Sequence, residues 1–220
     1  MDVSEAVRER RSVRGFLDTP VDVVVLKELA LKSARAATGG NIQPWHVDIV
    51  TGAKMDELKA IMRGKLERRE KEEPGYQIYP LEMSDTIKGR IFGVGEELYG
   101  HLGIPREDKR ARAAWFARNF QFFGAPAAYF VTVDRRMGPP QWSDLGMYLQ
   151  NLMLLAVEAG LATCPQECWA VYPNTIEAFL GTPPERMLFC GVAIGVEDRE
   201  DLANRTRAKR APEQEWLSVL

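Results

Sequence analysis

Residues Leu145 to Val157 read LGMYLQNLMLLAV, a stretch that is apolar nearly all round when wound as a helix. Such a helix has to be covered on most sides, within its own chain or in a subunit interface. Gln150 and Asn151 interrupt it, which suits a buried helix better than a membrane span, and no apolar run in the chain approaches transmembrane length. Ser143 is the expected N-cap, with Trp142 and Met147 as a hydrophobic staple. Gly160 sits where a left-handed C-terminal cap belongs.

The rest of the chain supplies layers for this helix. AAYFVTV (127 to 133) and MLFCGVAIG (187 to 195) read as buried strands, and HVDIVT (46 to 51) alternates as a strand should. Residues 2 to 11 suggest a short charged helix. A second helix is expected from an Asp22 cap through Leu26, Leu29, Ser33 and Ala37, stopping at Gly39-Gly40. Residues 53 to 73 and 106 to 123 also read as helices. The 74 to 105 region, with Tyr76, Tyr79, Phe92 and Tyr99, reads as an insertion or lid. Residues 205 to 220 form a C-terminal extension, and its ending EWLSVL is expected to be a short strand that needs a sheet to pair with. Helices and strands do not alternate regularly, and no G-x-G-x-x-G follows a strand. The expectation is therefore one α+β domain over 1–220 rather than a dinucleotide-binding fold.

Charge and cysteine content narrow the function. With 29 basic and 31 acidic residues there is no dominant basic face for nucleic acid or an anionic membrane. The first ten residues hold no apolar stretch of a secretory signal, and three cysteines make a disulfide framework unlikely; a cytoplasmic setting is expected. Cys164 and Cys168 lack the spacing and partners of a zinc site, and His46 and His101 stand alone, so no metal is expected. G-x-S-x-G, H-E-x-x-H and the P-loop are absent. An enzyme built this way needs a bound cofactor to carry its chemistry, and no side chain is singled out as catalytic.

Four stretches hold candidate binding residues. RRSVRGF (10 to 16) gathers Arg10, Arg11, Ser12 and Arg14. On a helix Arg10 and Arg14 would share a face, and an anion would relieve their repulsion. A solvated basic patch paired with Glu5 and Glu9 is the competing reading, and the stronger one on this stretch alone. ATGGNIQPWHV (37 to 47) offers permissive glycines and the amides of Asn41 and Gln43, which suit the edge of a heterocycle or, equally, an ordinary turn. TCPQE (163 to 167) follows the apolar helix, and RTRAKRAP (205 to 212) adds basic charge near the C-terminus.

In their order and spacing these stretches resemble the nitroreductase family of FMN-dependent oxidoreductases, from about residue 5 to about residue 212, and TCPQE with the long 74 to 105 region resembles its nitrobenzoate-reductase branch. The resemblance implies a mostly antiparallel central sheet flanked by helices. It also implies an intertwined homodimer with the C-terminal strand exchanged onto the partner and FMN at the interface. Arg10, Ser12 and Arg14 then match the segment that holds FMN phosphate and ribityl groups, with Arg11 beside them. Thr38, Gly39, Asn41 and Gln43 match the segment that approaches flavin from the other subunit. Pro165, Gln166 and Glu167 match the loop beside the reactive flavin edge, and Arg207 and Arg210 match the basic tail. Ala37-Thr38 stands where many relatives have Pro-Ser. Ala208 stands where some have Lys, leaving Arg207, Lys209 and Arg210 as phosphate candidates. Arg118 and Asn119 are both candidates for a further flavin-edge residue. The implied activity is ping-pong hydride transfer from NADH or NADPH to nitroaromatic or quinone acceptors. Reductive dehalogenation, other flavin chemistry, or a flavin-binding sensor are the alternatives.

Overall fold

A computed structural model describes residues 1–220. Its centre is a four-stranded, wholly antiparallel sheet of β1 (His46–Thr51), β2 (Ala127–Asp134), β3 (Ala162–Gln166) and β4 (Arg186–Gly195), in the order β1-β2-β4-β3. Seven helices surround it: α1 (Val3–Glu9), α2 (Val23–Ser33), α3 (Gly52–Glu67), α4 (Asp85–His101), α5 (Lys109–Ala117), α6 (Pro139–Glu158) and α7 (Pro173–Leu180).

The two faces of β2 sort the core. Tyr129, Val131 and Val133 pack on one face with Leu26 and Leu29 of α2 and Leu145 and Leu152 of α6. Ala128 and Phe130 pack on the other with Leu58 and Met62 of α3, Phe122 and Trp169. Both faces are covered, so β2 is a continuous apolar run while its side chains still alternate. Each large side chain so buried contributes about 1.5–3 kcal/mol. Polar atoms near α6 are satisfied locally: Tyr148 Oη donates to Ala30 O at 3.1 Å and Tyr129 Oη to Leu26 O at 2.8 Å. Trp45 anchors the start of β1 by stacking on Tyr148 at 5.2 Å.

Several element boundaries differ from the sequence expectation. Helix α2 starts at the Asp22 cap, whose carboxylate accepts from Val24 N at 2.8 Å, but ends at Ser33; Ala36 N bonds back to Ser33 O, tightening the chain before Gly39-Gly40 is reached. Helix α6 begins at Pro139, not after a Ser143 cap. Pro139-Pro140 is preset for the first turn, and Gln141 Oε1 accepts from Gly138 N at 3.2 Å. Its other end is as expected, with Gly160 at φ 72°. Helix α3 stops at Glu67, followed by Arg69 at φ 55°, and the 106 to 123 helix divides into α5 and a 3-10 segment, 118–124, in which Phe122 and Phe123 have positive φ. The 74 to 105 region is largely helix α4, capped by Ser84. Strand β3 and helix α7 were not foreseen. The EWLSVL ending is no strand within the single chain: residues 213–215 form a 3-10 turn whose Glu215 pairs with Arg90.

Candidate active site

The RRSVRGF stretch is extended, so Arg10 and Arg14 do not share a helical face. Helix α1 ends at Glu9, and residues 12–13 run beside β3, with a parallel bridge from Ser12 to Thr163 and Val13 N donating to Thr163 O at 2.9 Å. Buried Val13 and Phe16 pin the segment to the core, an extended period that brings Arg10, Ser12 and Arg14 to a cavity wall. Gly15 is a glycine for a steric reason: an added Cβ would lie 2.3 Å from Asp201 Cβ. Asp201 in turn accepts from Arg118 at 3.1 Å.

Asn204 ties this segment to the C-terminal part of the chain. Its buried amide donates to Gly15 O at 2.9 Å and Asp198 O at 2.8 Å, and its oxygen accepts from Arg14 N at 2.6 Å. The tail thereby comes to lie opposite RRSVRGF. A cavity of about 640 Å³ opens between them, with Ser12 and Thr206 in its wall. Six arginines line it (8, 10, 11, 14, 207 and 210) against one acid, Glu9. Arg11 is neutralised by Glu197, with 2.6 Å to Oε2. Burial, and then the charge of Arg210, push the Arg10 pKa below the ordinary arginine value. Positive charge is thus concentrated here without matching acid. Lys209 lies off this wall, lining a neighbouring cleft, whereas Arg207 and Arg210 are on it.

Arg14 and Thr206 also line a second cavity, of about 590 Å³, so the two adjoin at these residues. This second cavity has aromatic and aliphatic walls, among them Tyr79 and Leu98 and the rings of Tyr99, Trp115 and Phe116. Pro165, Gln166 and Glu167 form its floor where β3 turns into a 3-10 helix, 167–171. Gln166 is buried and fully engaged: its amide donates to Asn119 O at 2.8 Å and its oxygen accepts from Trp169 Nε1 at 3.3 Å. Trp169 fits under the sheet because Gly191 leaves room; a Cβ there would meet its ring at 2.6 Å. Burial raises the Glu167 carboxyl pKa above the usual carboxylate range. Of the two flavin-edge candidates, Asn119 lines this cavity and Arg118 turns to Asp201.

A basic cavity beside an aromatic one is thus built from both ends of the chain around an antiparallel sheet, and the chain as a whole is matched by known proteins. The sequence model of the Nitroreductase family covers residues 7–196. The chain belongs to the nitroreductase family. It is 32% identical to a 4-nitrobenzoate reductase of Pseudomonas putida, over 95% of this chain and 91% of that protein. Among solved structures it superposes with TM-score 0.96 on the FMN and NADPH-dependent nitroreductase NfnB of sphigopyxis sp. strain HMH, at 44% identity over 100% of this chain and 99% of that one. The FMN-dependent NfnB of Mycobacterium smegmatis, solved in complex with NADPH, matches with TM-score 0.92 and 26% identity, each chain covered in full.

The nitroreductase fold of this chain brings together nine of the residues picked out in the sequence, those of RRSVRGF, of the 165–167 turn and of the tail. Thr38, Gly39, Asn41 and Gln43 line neither cavity of their own chain. They form a separate exposed loop, where Gly40, Asn41 and Gln43 have φ of 57°, 57° and 53°. The sequence reading missed Asp144, Asn204 and Thr206. Asp144 had a signal, an acid inside an otherwise apolar helix; Asn204 and Thr206 had none beyond lying in the basic tail.

Proposed function

We propose that this nitroreductase binds FMN across the two adjoining cavities and transfers hydride from NAD(P)H to nitroaromatic or quinone acceptors. The observation that carries the reading is the junction of an arginine-rich cavity with an aromatic one at Arg14 and Thr206. The residues fit the cofactor. Arg10, Arg14, Arg207 and Arg210 with Ser12 offer charge-assisted hydrogen bonds to a phosphate dianion, which relieves the repulsion among them. The Thr206 hydroxyl is buried without a hydrogen-bond partner and lines both cavities, so it is free to bond a ribityl hydroxyl. The aromatic cavity suits a flat heterocycle and a stacked aromatic substrate.

Bound FMN supplies two-electron chemistry, taking hydride from NAD(P)H and giving it to an acceptor. The chain supplies position and a shielded pocket. The Pro165–Glu167 turn, braced by Gln166 on Asn119 and Trp169, presents backbone at the cavity floor where the ring edge would rest. Tyr99, Trp115 and Phe116 exclude water from the stacking space. Arg14, at the junction, is placed to stabilise negative charge on a reduced ring.

The working unit in this reading is a homodimer in which the 38–43 loop of one subunit reaches the cofactor held by the other. Supporting it are the loop's absence from the walls of its own chain's two cavities, Met147 exposed on α6, and residues 217–220, which form no regular element in the single chain while β1 is an outer strand. No helix is long and apolar enough to cross a membrane. Three unpaired cysteines accord with a cytoplasmic location. Steady-state kinetics with NADPH, then NADH, against 4-nitrobenzoate test the activity. Parallel double-reciprocal lines are expected; intersecting lines, or no turnover with either reductant, would contradict it.

A further inference from the structure

Asp144 sits inside α6 with its side chain buried, 5% exposed, and forms no ion pair. Its hydrogen bonds come from one place: Thr38 Oγ1 donates to Oδ2 at 2.9 Å and Gly39 N to the same oxygen at 3.2 Å. Thr38 Oγ1 then accepts from Gln43 N at 3.0 Å. One carboxylate thus fixes both ends of the 38–43 loop, at Gly39 directly and at Gln43 through Thr38. Between them the backbone takes left-handed φ at Gly40 and Asn41, and again at Gln43, in a single 3-10 turn, 39–41, closed by two local bonds of 3.2 Å, Asn41 N to Thr38 O and Ile42 N to Gly39 O. A buried carboxylate without a counter-ion is costly as packing, and an apolar side chain would fill α6 with less penalty.

We propose that Asp144 is a positioning residue for the cofactor: it presets the shape of the 38–43 loop from the rigid helix α6, so that Asn41 and Gln43 meet the flavin already arranged. This rests on the reading of that loop as flavin-facing. Its action is indirect, through Thr38, and lowers the ordering cost of binding rather than adding a contact to flavin. Gln43 Nε2 donates to Asn41 Oδ1 at 3.1 Å, so the two amides are mutually oriented once the backbone is set.

The test compares Asp144→Ala and Asp144→Asn with the unaltered full chain in two measurements. The first is amide hydrogen exchange at Gly39 and Gln43 in flavin-free protein; the second is FMN affinity by fluorescence quenching. The alanine variant should lose protection at both amides and bind FMN about tenfold or more weakly, the effect expected for two hydrogen bonds to a charged group. The asparagine variant keeps an acceptor oxygen and should lie between. Melting of the flavin-free protein should stay within a few degrees of the original. Loss of protection and loss of affinity together, in whichever variant folds, support the proposal. Either one changing without the other overturns it, as does failure of both variants to fold, which would make Asp144 a packing residue. If the unaltered chain binds no FMN, the functional reading falls, and the exchange measurement alone decides whether Asp144 sets the loop.

Discussion

At the scale of single residues, RRSVRGF divides between fold and ligand. Gly15 belongs to the fold: with Asp201 2.3 Å from a would-be Cβ, Gly15→Ala should cost about 1–3 kcal/mol, measurable as a lower urea midpoint. Arg11 belongs to the fold as well, through Glu197. In the proposed reading Arg14 serves the ligand: its side chain makes only a 3.4 Å bond to Ser12 O within the chain and lines both cavities. Arg14→Ala should therefore weaken FMN binding by about tenfold to a hundredfold, the worth of a charge-assisted bond, while leaving the melting temperature nearly unchanged. Equal losses in both would return Arg14 to a structural role. That Arg10, Ser12, Arg14, Arg207 and Arg210 would gather at one cavity was legible in the sequence as clustered arginines with a hydroxyl. Their division of labour was not, because it depends on Glu197, Asp201 and Asn204, nearly two hundred positions away.

Among the elements, those with a strong periodic signal were readable. Strand β2 and strand β4 are continuous apolar runs, and α6 keeps its apolar pattern to Gly160. What escaped had its cause elsewhere in the structure. Strand β3 spans TCPQ, an unpromising sequence that becomes a strand because β4 pairs with it on one side and Ser12 bridges it on the other. The bulge between Val131 and Thr132, where Phe189 is the unmatched residue of β4, is equally silent in sequence; it sets Phe189 against Tyr76 and Trp142. A latch between the segment after α3 and the start of α7 gives a pH prediction. Burial works against the Glu72 carboxylate, but bonds from Thr175, with 3.2 Å from its N–H, and from Lys65, 3.2 Å away, outweigh it, so its pKa lies below the ordinary value. A depressed folded-state pKa adds stability that is full above the unfolded-state value and lost as pH falls through the folded-state value. Glu72→Gln should accordingly be destabilised near neutral pH. The gap to the unaltered protein should close on acidification below the ordinary glutamate range, as followed by thermal melting at a series of pH values.

The whole molecule explains why two chain ends, remote in sequence, make one site. RRSVRGF is laid beside β3, the tail is clamped to it by Asn204, and α4 with α5 closes the aromatic side. Asn204→Leu removes that clamp: Arg14 N loses its acceptor, while Gly15 O and Asp198 O keep only their backbone donors, Asp198 N and Asp201 N, so it should cost about 1–3 kcal/mol and abolish FMN retention in gel filtration. The proposed dimer follows from the proposed site, because the 38–43 loop lines neither cavity of its own chain. Sedimentation should give a species of twice the 24.8 kDa chain mass; a monomer that still held flavin would remove the shared site. The most direct test of the central claim is the visible spectrum of the purified protein after incubation with FMN, followed by anaerobic NADPH. We predict a protein-bound flavin spectrum that survives desalting, is bleached by the reductant and returns on addition of 4-nitrobenzoate. A protein that stays colourless after desalting, or whose bound flavin NADPH and NADH both fail to bleach, would contradict it.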